Sequence, residues 1–574
     1  MRSNGLRLKE CCPKAARGNG SMPESAMACA NDEELDVNRS DIDRVRRWRR
    51  SMLGALGVFG AVCLTAIALP AMADAPAPAN QQTVPTWCAG CHTEDSPGHF
   101  QRLSVIRKSP EGWQMTIFRM QHVHNLALPE DARNAIIKYL SDTQGLAPAE
   151  SAAGRFALER RPNMPDLKLG DNLPVMCGRC HSLARVALQR RDADEWLKHM
   201  HMHVGQFPSL EYQASARDIH WWEIATTQLP AKLGAMFPFD SPEWRAWKDR
   251  PHADLSGDWL VHGHNPGGAD FVGTLSVKAA GDDDYTAHYS LQTASGEPDG
   301  DFDSKVRVFT GYEWRGTSKP GAVDTHEVLA LSEDGKRLTG RWFEAAHPEV
   351  GGDVVAERLT GPAAVFMVSP RALKTGSTTE VLIAGRALHG AVNFGKGTHV
   401  KVLKAGPTLI RVAVTVNAKA EPGLRSVTVG KLVGSDMAAI YDKVDRLDVR
   451  PSYGIARIGG GRVDPVAAQF EAWGFIEPRT GQAPVALGPM KVKWTVEPHN
   501  EDAVKADDVK FAGTMRQDGS FMPAVGGPNP ERKFSGNNAG DLNVVASLDQ
   551  DGKQLRGEGH LIVTVQTWNT PPIY

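Results

Sequence analysis

The chain has 574 residues, enough for roughly three to five domains. Its formal net charge is −2, with 65 basic and 67 acidic residues, which argues against a nucleic-acid partner and against a generally basic surface. Cys11, Cys12, Cys29 and Cys63 precede residue 74, whereas Cys88, Cys91, Cys177 and Cys180 form two close pairs.

Residues 1–73 read as a leader and signal peptide. Arg44, Arg46, Arg47, Arg49 and Arg50 make a basic flank, and no charge occurs from Ser51 to Ala73. Ala71-Met72-Ala73 is a small-x-small cleavage site, so the mature chain is expected to begin near Asp74. The competing reading is an uncleaved anchor, since the apolar run Met52–Leu69 is just long enough to span a bilayer. Pro70 and the Ala-x-Ala site directly after it favour cleavage and export to the periplasm, with no membrane contact thereafter. Met22 and Met27 are alternative starts.

Residues 74–250 read as a helical di-haem cytochrome c domain, with modules of about 74–150 and 151–250. Ala75–Pro85 is a Pro- and Ala-rich lead-in. Cys88-Ala89-Gly90-Cys91-His92 and Cys177-Gly178-Arg179-Cys180-His181 each have the Cys-x-x-Cys-His form. Two thiols at this spacing can close thioether links to one haem, and the adjacent imidazole can meet its iron. Zinc is the alternative, but a zinc site would need more ligands, and beyond these four no cysteine follows residue 63. Two covalent c-type haems are therefore expected, with His92 and His181 as proximal ligands.

Apolar residues at helical spacing predict helices over Glu111–Met120, Pro129–Ser141, Asp192–His203 and Tyr212–Leu229. The region repeats once. Trp113 precedes Met120 by seven residues, and Trp196 precedes His203 by seven; Thr143-Gln144 matches Thr227-Gln228. Candidate distal ligands are Met115, Met120, His122 and His124 for the first haem, and His199, Met200, His201, Met202 and His203 for the second. The repeat selects Met120 and His203, with His124 the main rival of Met120. Unlike ligation would give two unequal potentials, because a thioether raises the potential and a second imidazole lowers it.

From 251 the pattern changes to short strands, giving an α plus all-β multidomain chain. Residues 251–360 read as an antiparallel β-barrel, with Thr274–Val277, Lys305–Phe309 and His326–Leu331 as strands and Glu333-Asp334-Gly335-Lys336 as a hairpin turn. Residues 361–438 and 439–574 read as two immunoglobulin-like β-sandwich domains. Their expected strands include the alternating Val412, Val414 and Val416, then Gly423–Val429, Val492–Val496 and Leu561–Gln566, with Asp551-Gly552 as a turn. His262-Gly263-His264 is read as a turn rather than a metal site, and Asp282-Asp283-Asp284 as an exposed acidic turn rather than a calcium site. No nucleophile motif, phosphate loop or dinucleotide fingerprint is present.

Several stretches give the whole mature chain a specific resemblance: Gly112-Trp113-Gln114-Met115-Thr116-Ile117 with Arg119-Met120, Tyr139-Leu140-Ser141-Asp142-Thr143-Gln144-Gly145-Leu146-Ala147-Pro148, and Gly205-Gln206-Phe207-Pro208 with Trp221-Trp222. With the order of domains, they resemble the α subunit of quinohemoprotein amine dehydrogenase. The resemblance implies a heterotrimer: a β-propeller subunit, a small γ subunit carrying a cysteine tryptophylquinone, and this di-haem chain. It implies electron transfer from the quinone through the haems to a soluble cytochrome c or blue-copper protein, and one haem with two histidines beside one with histidine and methionine. No substrate-oxidising site is expected on this chain. A free-standing di-haem carrier or haem sensor with β interaction modules is the alternative, and a di-haem peroxidase would require an open iron position. The long cysteine-bearing N-terminal extension departs from the family and bears on the start codon.

Overall fold

A computed structural model describes residues 83–565, apart from 158–165, 171, 208–209, 216–217, 461–462, 478–482 and 535. The leader and signal segment expected over 1–73 lies outside the described residues, and all the elements below belong to the unit Asp74–Tyr574. No described helix is long and apolar enough to cross a membrane.

The first part is helical: α1 (Thr83–Cys88), α2 (Pro110–Val123), α3 (Glu130–Thr143), α4 (Pro148–Ser151), α5 (Asn172–Met176), α6 (Ala184–Ala187), α7 (Ala193–Gln206), α8 (Leu210–Ala214), α9 (Trp221–Thr227), α10 (Leu229–Met236) and α11 (Pro242–Trp247). The expected helix over Tyr212–Leu229 is instead divided between α8 and α9, with His220 as N-cap of α9 and Pro230 in the first turn of α10. A proline suits that first turn, where its missing N–H would have had no helical partner.

The repeat is visible in the local chemistry. Ser109 caps α2 by accepting a hydrogen bond from the Gly112 N–H at 3.3 Å, and Asp192 caps α7 by accepting from the Glu195 N–H at 2.8 Å. A fully buried tryptophan follows at the fourth helical position in each, Trp113 and Trp196. Beside the small ribbon of β1 (Glu94–Ser96) and β2 (His99–Phe100), two further strands, β3 (Arg107–Lys108) and β4 (Gln189–Arg190), enter these helices and pair antiparallel. Their register sets Arg107 opposite Arg190, its own counterpart in the repeat. Pairing of equivalent residues is what a local two-fold between modules requires.

Glu150 locks that axis. Its carboxylate accepts from Arg107 Nη1 and Nη2 at 2.7 and 2.8 Å, from Arg190 Nε at 3.0 Å and from Ser241 Oγ at 2.7 Å. Burial pushes the Glu150 carboxyl up, but the two guanidiniums overcome this and hold it at about 2. Removing the carboxylate would leave two buried cations facing each other, the costly way to break a buried ion pair.

Eight antiparallel strands, β5 (Gly257–His264), β6 (Asp270–Ala279), β7 (Asp284–Thr293), β8 (Pro298–Phe309), β9 (Glu313–Ser318), β10 (Thr325–Leu331), β11 (Arg337–Glu344) and β12 (Gly351–Arg358), close a barrel in sequence order. Closure leaves no free sheet edge, and inward residues such as Trp259, Leu275, Trp314 and Leu329 fill the core. One end of the barrel docks on α3: Thr310 N–H donates to Asp142 at 2.8 Å, and Lys138 pairs with Asp283 at 2.8 Å. The turn Asp282-Asp283-Asp284 is thus not a free acidic loop, because Asp283 also holds His252 and Asp284 holds Arg307.

His262-Gly263-His264 is no turn; it ends strand β5. His262 lies half-buried on the same outward face of the strand as His264, and burial lowers its imidazole to about 4. His264 reaches out, with Nδ1 at 2.7 Å from Asp270 and Nε2 at 2.6 Å from Glu471 of the last β domain. Asp270 also accepts from Ser369, so three β domains meet here. The hydrogen bonds to Asp270 and Glu471 push the imidazolium up to about 10. A raised value means stability that is complete below the ordinary 6.5 and is lost as pH rises through about 10. His264→Gln is therefore expected to cost about 1–3 kcal/mol at pH 6. Chemical denaturation across pH should show that gap closing on the alkaline side; a gap unchanged above pH 10 would contradict the doubly bonded imidazolium.

Beyond the barrel, β13 (Ala364–Ser369), β14 (Ala372–Lys374), β15 (Thr378–Arg386), β16 (Val392–Asn393), β17 (Thr398–Ala405), β18 (Leu409–Val416), β19 (Gly423–Val429) and β20 (Leu432–Tyr441) form two four-stranded sheets, in the orders β13-β15-β18-β17 and β14-β20-β19-β16, around one core containing Val412, Val414, Val427 and Ile440. Residues 446–564 carry a four-stranded sheet in the order Tyr453–Arg457 (β22), Lys553–Thr564 (β30), Gly540–Gln550 (β29) and Lys493–Pro498 (β26), flanked by two three-stranded sheets and the short helices Glu501–Lys505 and Asp508–Phe511. That is more elaborate than a plain two-sheet sandwich.

Candidate haem site

Each attachment motif begins where a short helix ends. Cys88 is the last residue of α1, and the His92 N–H returns to the Cys88 carbonyl at 2.9 Å. Cys177 follows α5 directly, and the His181 N–H returns to the Cys177 carbonyl at 3.4 Å. Burial, then the neighbouring thiol, raises Cys88 and Cys177 to about 11 each.

Around the second motif the helices enclose a cavity of about 500 Å³. Cys177, Cys180 and His181 line it, and so do His199, Met200, Met202 and His203 from α7. His201 is exposed and packs edge-on against Trp222 instead. His181 and His203 share a useful arrangement. Nδ1 of His181 lies 2.9 Å from the Ser182 carbonyl, and Nδ1 of His203 lies 2.7 Å from the His199 carbonyl. Donation from Nδ1 leaves Nε2 as the bare nitrogen that ligates a metal. His92 has the same arrangement, with Nδ1 3.0 Å from the Gln101 carbonyl. Burial lowers both His181 and His203, keeping them in the neutral form that binds iron.

The residues fit a haem by a second criterion. Lys108, Arg119 and Arg185 line the cavity, and among the described residues no Asp or Glu does. Burial lowers Lys108 well below its ordinary value, with Arg191 and Arg119 adding to the effect. The buried Nε of Arg119 has no hydrogen-bond partner. An apolar cavity edged by cations without carboxylates matches an apolar macrocycle that bears two propionates. Sequence reasoning misses these cations, although the repeat could find them: Arg107-Lys108-Ser109 and Arg190-Arg191-Asp192 occupy equivalent places before α2 and α7.

The candidates for the first haem separate by helix face. Met115, Phe118, Arg119 and His122 line the second motif's cavity. Trp113 and Ile117 pack on the other side, in one core with Cys88, Ile136 and Leu140. Met120 is half-buried and continues the Trp113–Ile117 stripe. His124 lies beyond the helix end, exposed, with Nε2 3.1 Å from the Gln206 side chain.

Four family profiles match successive parts of the chain: quinohemoprotein amine dehydrogenase A, alpha subunit, haem binding, over 78–244; alpha subunit domain II over 252–359; domain III over 362–442; and domain IV over 447–573. The chain belongs to the α-subunit family of quinohemoprotein amine dehydrogenase. As a family α subunit it has a haem-binding domain and is one part of a multisubunit oxidoreductase. No curated protein matches it. Among solved structures, a de novo designed fluorescence-activating β-barrel shares 14% identity over 18% of this chain and 92% of its own, with a TM-score of 0.16. Mouse clustered PcdhgC3 EC1-3 shares 10% identity over 42% and 77%, at a TM-score of 0.16. A Bacteroides ovatus glucan-utilization protein, SGBP-B, shares 9% over 54% and 64%, at 0.17. At these scores the structural likenesses carry no weight.

Proposed function

We propose that this α subunit is the electron-transfer component of a periplasmic amine dehydrogenase. It would pass electrons from a cysteine tryptophylquinone on a small γ subunit, through two covalent c-type haems, to a soluble cytochrome c or blue-copper acceptor. A β-propeller subunit would complete the complex, and primary amines would be oxidised away from this chain. We also read the two C-terminal β domains as immunoglobulin-like.

The observation that carries this reading is the cavity that brings Cys177, Cys180, His181 and His203 together. Each haem, once attached, supplies a one-electron iron couple. The protein's part would be to bind and orient: Cys88, Cys91, Cys177 and Cys180 would anchor the haems, and His92, His181, Met120 and His203 would supply the ligands to iron. Lys108, Arg119 and Arg185 would offset propionate charge, and Trp113 and Trp196 exclude water behind the ligand helices.

The first test is stoichiometry. Intact mass of the mature, exported protein, with a haem stain of the denatured chain, should give two covalent haems. A mass with one haem or none would overturn the di-haem reading.

A further inference from the structure

A second cluster of metal-ligating side chains lies far along the chain, in the last β domain. A ring nitrogen each from His499 and His560 and a carboxylate oxygen of Asp541 lie within 4.8 Å of one another. They come from three places: His499 precedes the helix Glu501–Lys505, Asp541 sits on β29 (Gly540–Gln550), and His560 on β30 (Lys553–Thr564).

The backbone fixes all three positions. The His499 N–H donates to the Asp541 carbonyl at 3.1 Å, and the His560 N–H to the Ser452 carbonyl at 2.9 Å. The Asp541 N–H donates to Asp508 Oδ2 at 2.8 Å. The side chains are oriented as well. His499 Nδ1 meets Asn543 Oδ1 at 2.7 Å, and Asn500 Nδ2 donates to Asp541 Oδ2 at 2.9 Å. His560 Nε2 lies 2.6 Å from Asp541 Oδ1. The two imidazoles stack at 3.9 Å between centroids and 15° between planes, and Tyr453 meets the His560 ring edge-on at 5.3 Å.

A hydrogen bond from His560 to Asp541 accounts for that pair. It does not account for a second imidazole stacked on the first. Two protonated rings at this spacing would repel; a metal ion that displaces the His560 Nε2 proton would instead let both imidazoles and the carboxylate serve one centre. Donation from Nδ1 of His499 to Asn543 leaves its Nε2 bare, and Asn500 occupies the Asp541 oxygen that His560 does not use. Such outer hydrogen bonds are how ligating side chains are held.

We propose that His499, Asp541 and His560 bind a divalent transition-metal ion of the zinc class, independently of the electron-transfer reading. Two imidazoles and one carboxylate suit zinc and its neighbours rather than calcium or magnesium. Metal–ligand bonds of about 2.0–2.1 Å set tetrahedral ligand atoms roughly 3.3 Å apart; the His560–Asp541 pair must therefore open by less than about 1 Å, the widest pair must close from within 4.8 Å, and one imidazole must turn out of the stack so that both ring planes contain the ion. His560 and Asp541 are 28% and 31% exposed, so water can reach the ion and fill what the protein does not. The ion would tie the segment before Glu501–Lys505 to the β29–β30 hairpin.

The test uses tag-free, haem-loaded full chain stripped with a chelator, titrated with zinc chloride by calorimetry and followed by thermal unfolding. The expected result is one saturable equivalent that raises the unfolding midpoint and is absent from His499→Gln and from His560→Gln. Asn543→Ala should weaken it roughly 10-fold. Should His560→Gln fail to fold, the exposed His499 position decides. No saturable uptake by the native chain, or uptake and midpoint shift undiminished in His499→Gln, would overturn the proposal.

Discussion

Met120→Ala is expected to remove a methionine–iron signature from the magnetic circular dichroism of the oxidised protein and to lower one of two haem potentials. The expectation follows from helix geometry. In α2 the residues facing the second motif are Met115, Phe118, Arg119 and His122, which line its cavity. The stripe continued by Met120 instead runs through Trp113 and Ile117 into the core that holds Cys88. Of the methionines on this helix, Met120 alone lies toward the first motif. A thioether favours ferrous iron, so its loss should lower that potential on the order of 0.1 V, a small part of the ~0.8 V that axial ligands span. His203→Ala should do the converse: the methionine signature stays and the bis-histidine signature goes. A spectrum unchanged in Met120→Ala would transfer the assignment to His124.

Much of this arrangement is legible in the sequence because it rests on short-range rules. The attachment motifs are five residues each, and the Trp113–Met120 and Trp196–His203 offsets lie within single helices. Strand β19 (Gly423–Val429) is readable in full, since a turn and alternation bound it. The turn at Asp551-Gly552 is readable too, and both residues have positive φ, 51° and 74°.

What stays hidden depends on contacts distant in sequence. Glu150 looks like an ordinary surface glutamate until Arg107, Arg190 and Ser241 converge on it. His264 reads as part of a turn because Gly263 suggests one; in the fold that glycine is required because a Cβ there would stand 2.2 Å from the Phe271 ring. The periodicity of Tyr212–Leu229 continues across two helices, so spacing alone does not show the break between α8 and α9. Lys108 and Arg119 escape notice because cations on a helical segment are normally solvated; here burial and the absence of carboxylates in the cavity give them a role.

Adding a primary amine to the isolated, oxidised α subunit is expected to leave its haem absorption unchanged, whereas the same amine added to the assembled complex should reduce it rapidly. Oxidising an amine removes two electrons together with protons, and that needs a cofactor that takes them at the substrate, such as a carbonyl cofactor, a flavin or an open metal position. From residue 74 onward the sequence has four cysteines, all in the two attachment motifs, so none there is free to build a quinone cross-link. Distal ligation by Met120 and His203 would close both irons to substrate. The cavity of the second motif is also arranged against it: Arg119 and Arg185 line it with no carboxylate among the described residues, so a protonated amine would be repelled there. What the chain can do is accept electrons singly, and unlike ligands at the two irons would order them by potential. Direct reduction of the isolated subunit by amine would refute this division of labour. Reduction only in the complex, slowed by Met120→Ala or His203→Ala without loss of subunit assembly, would place the chain between quinone and acceptor.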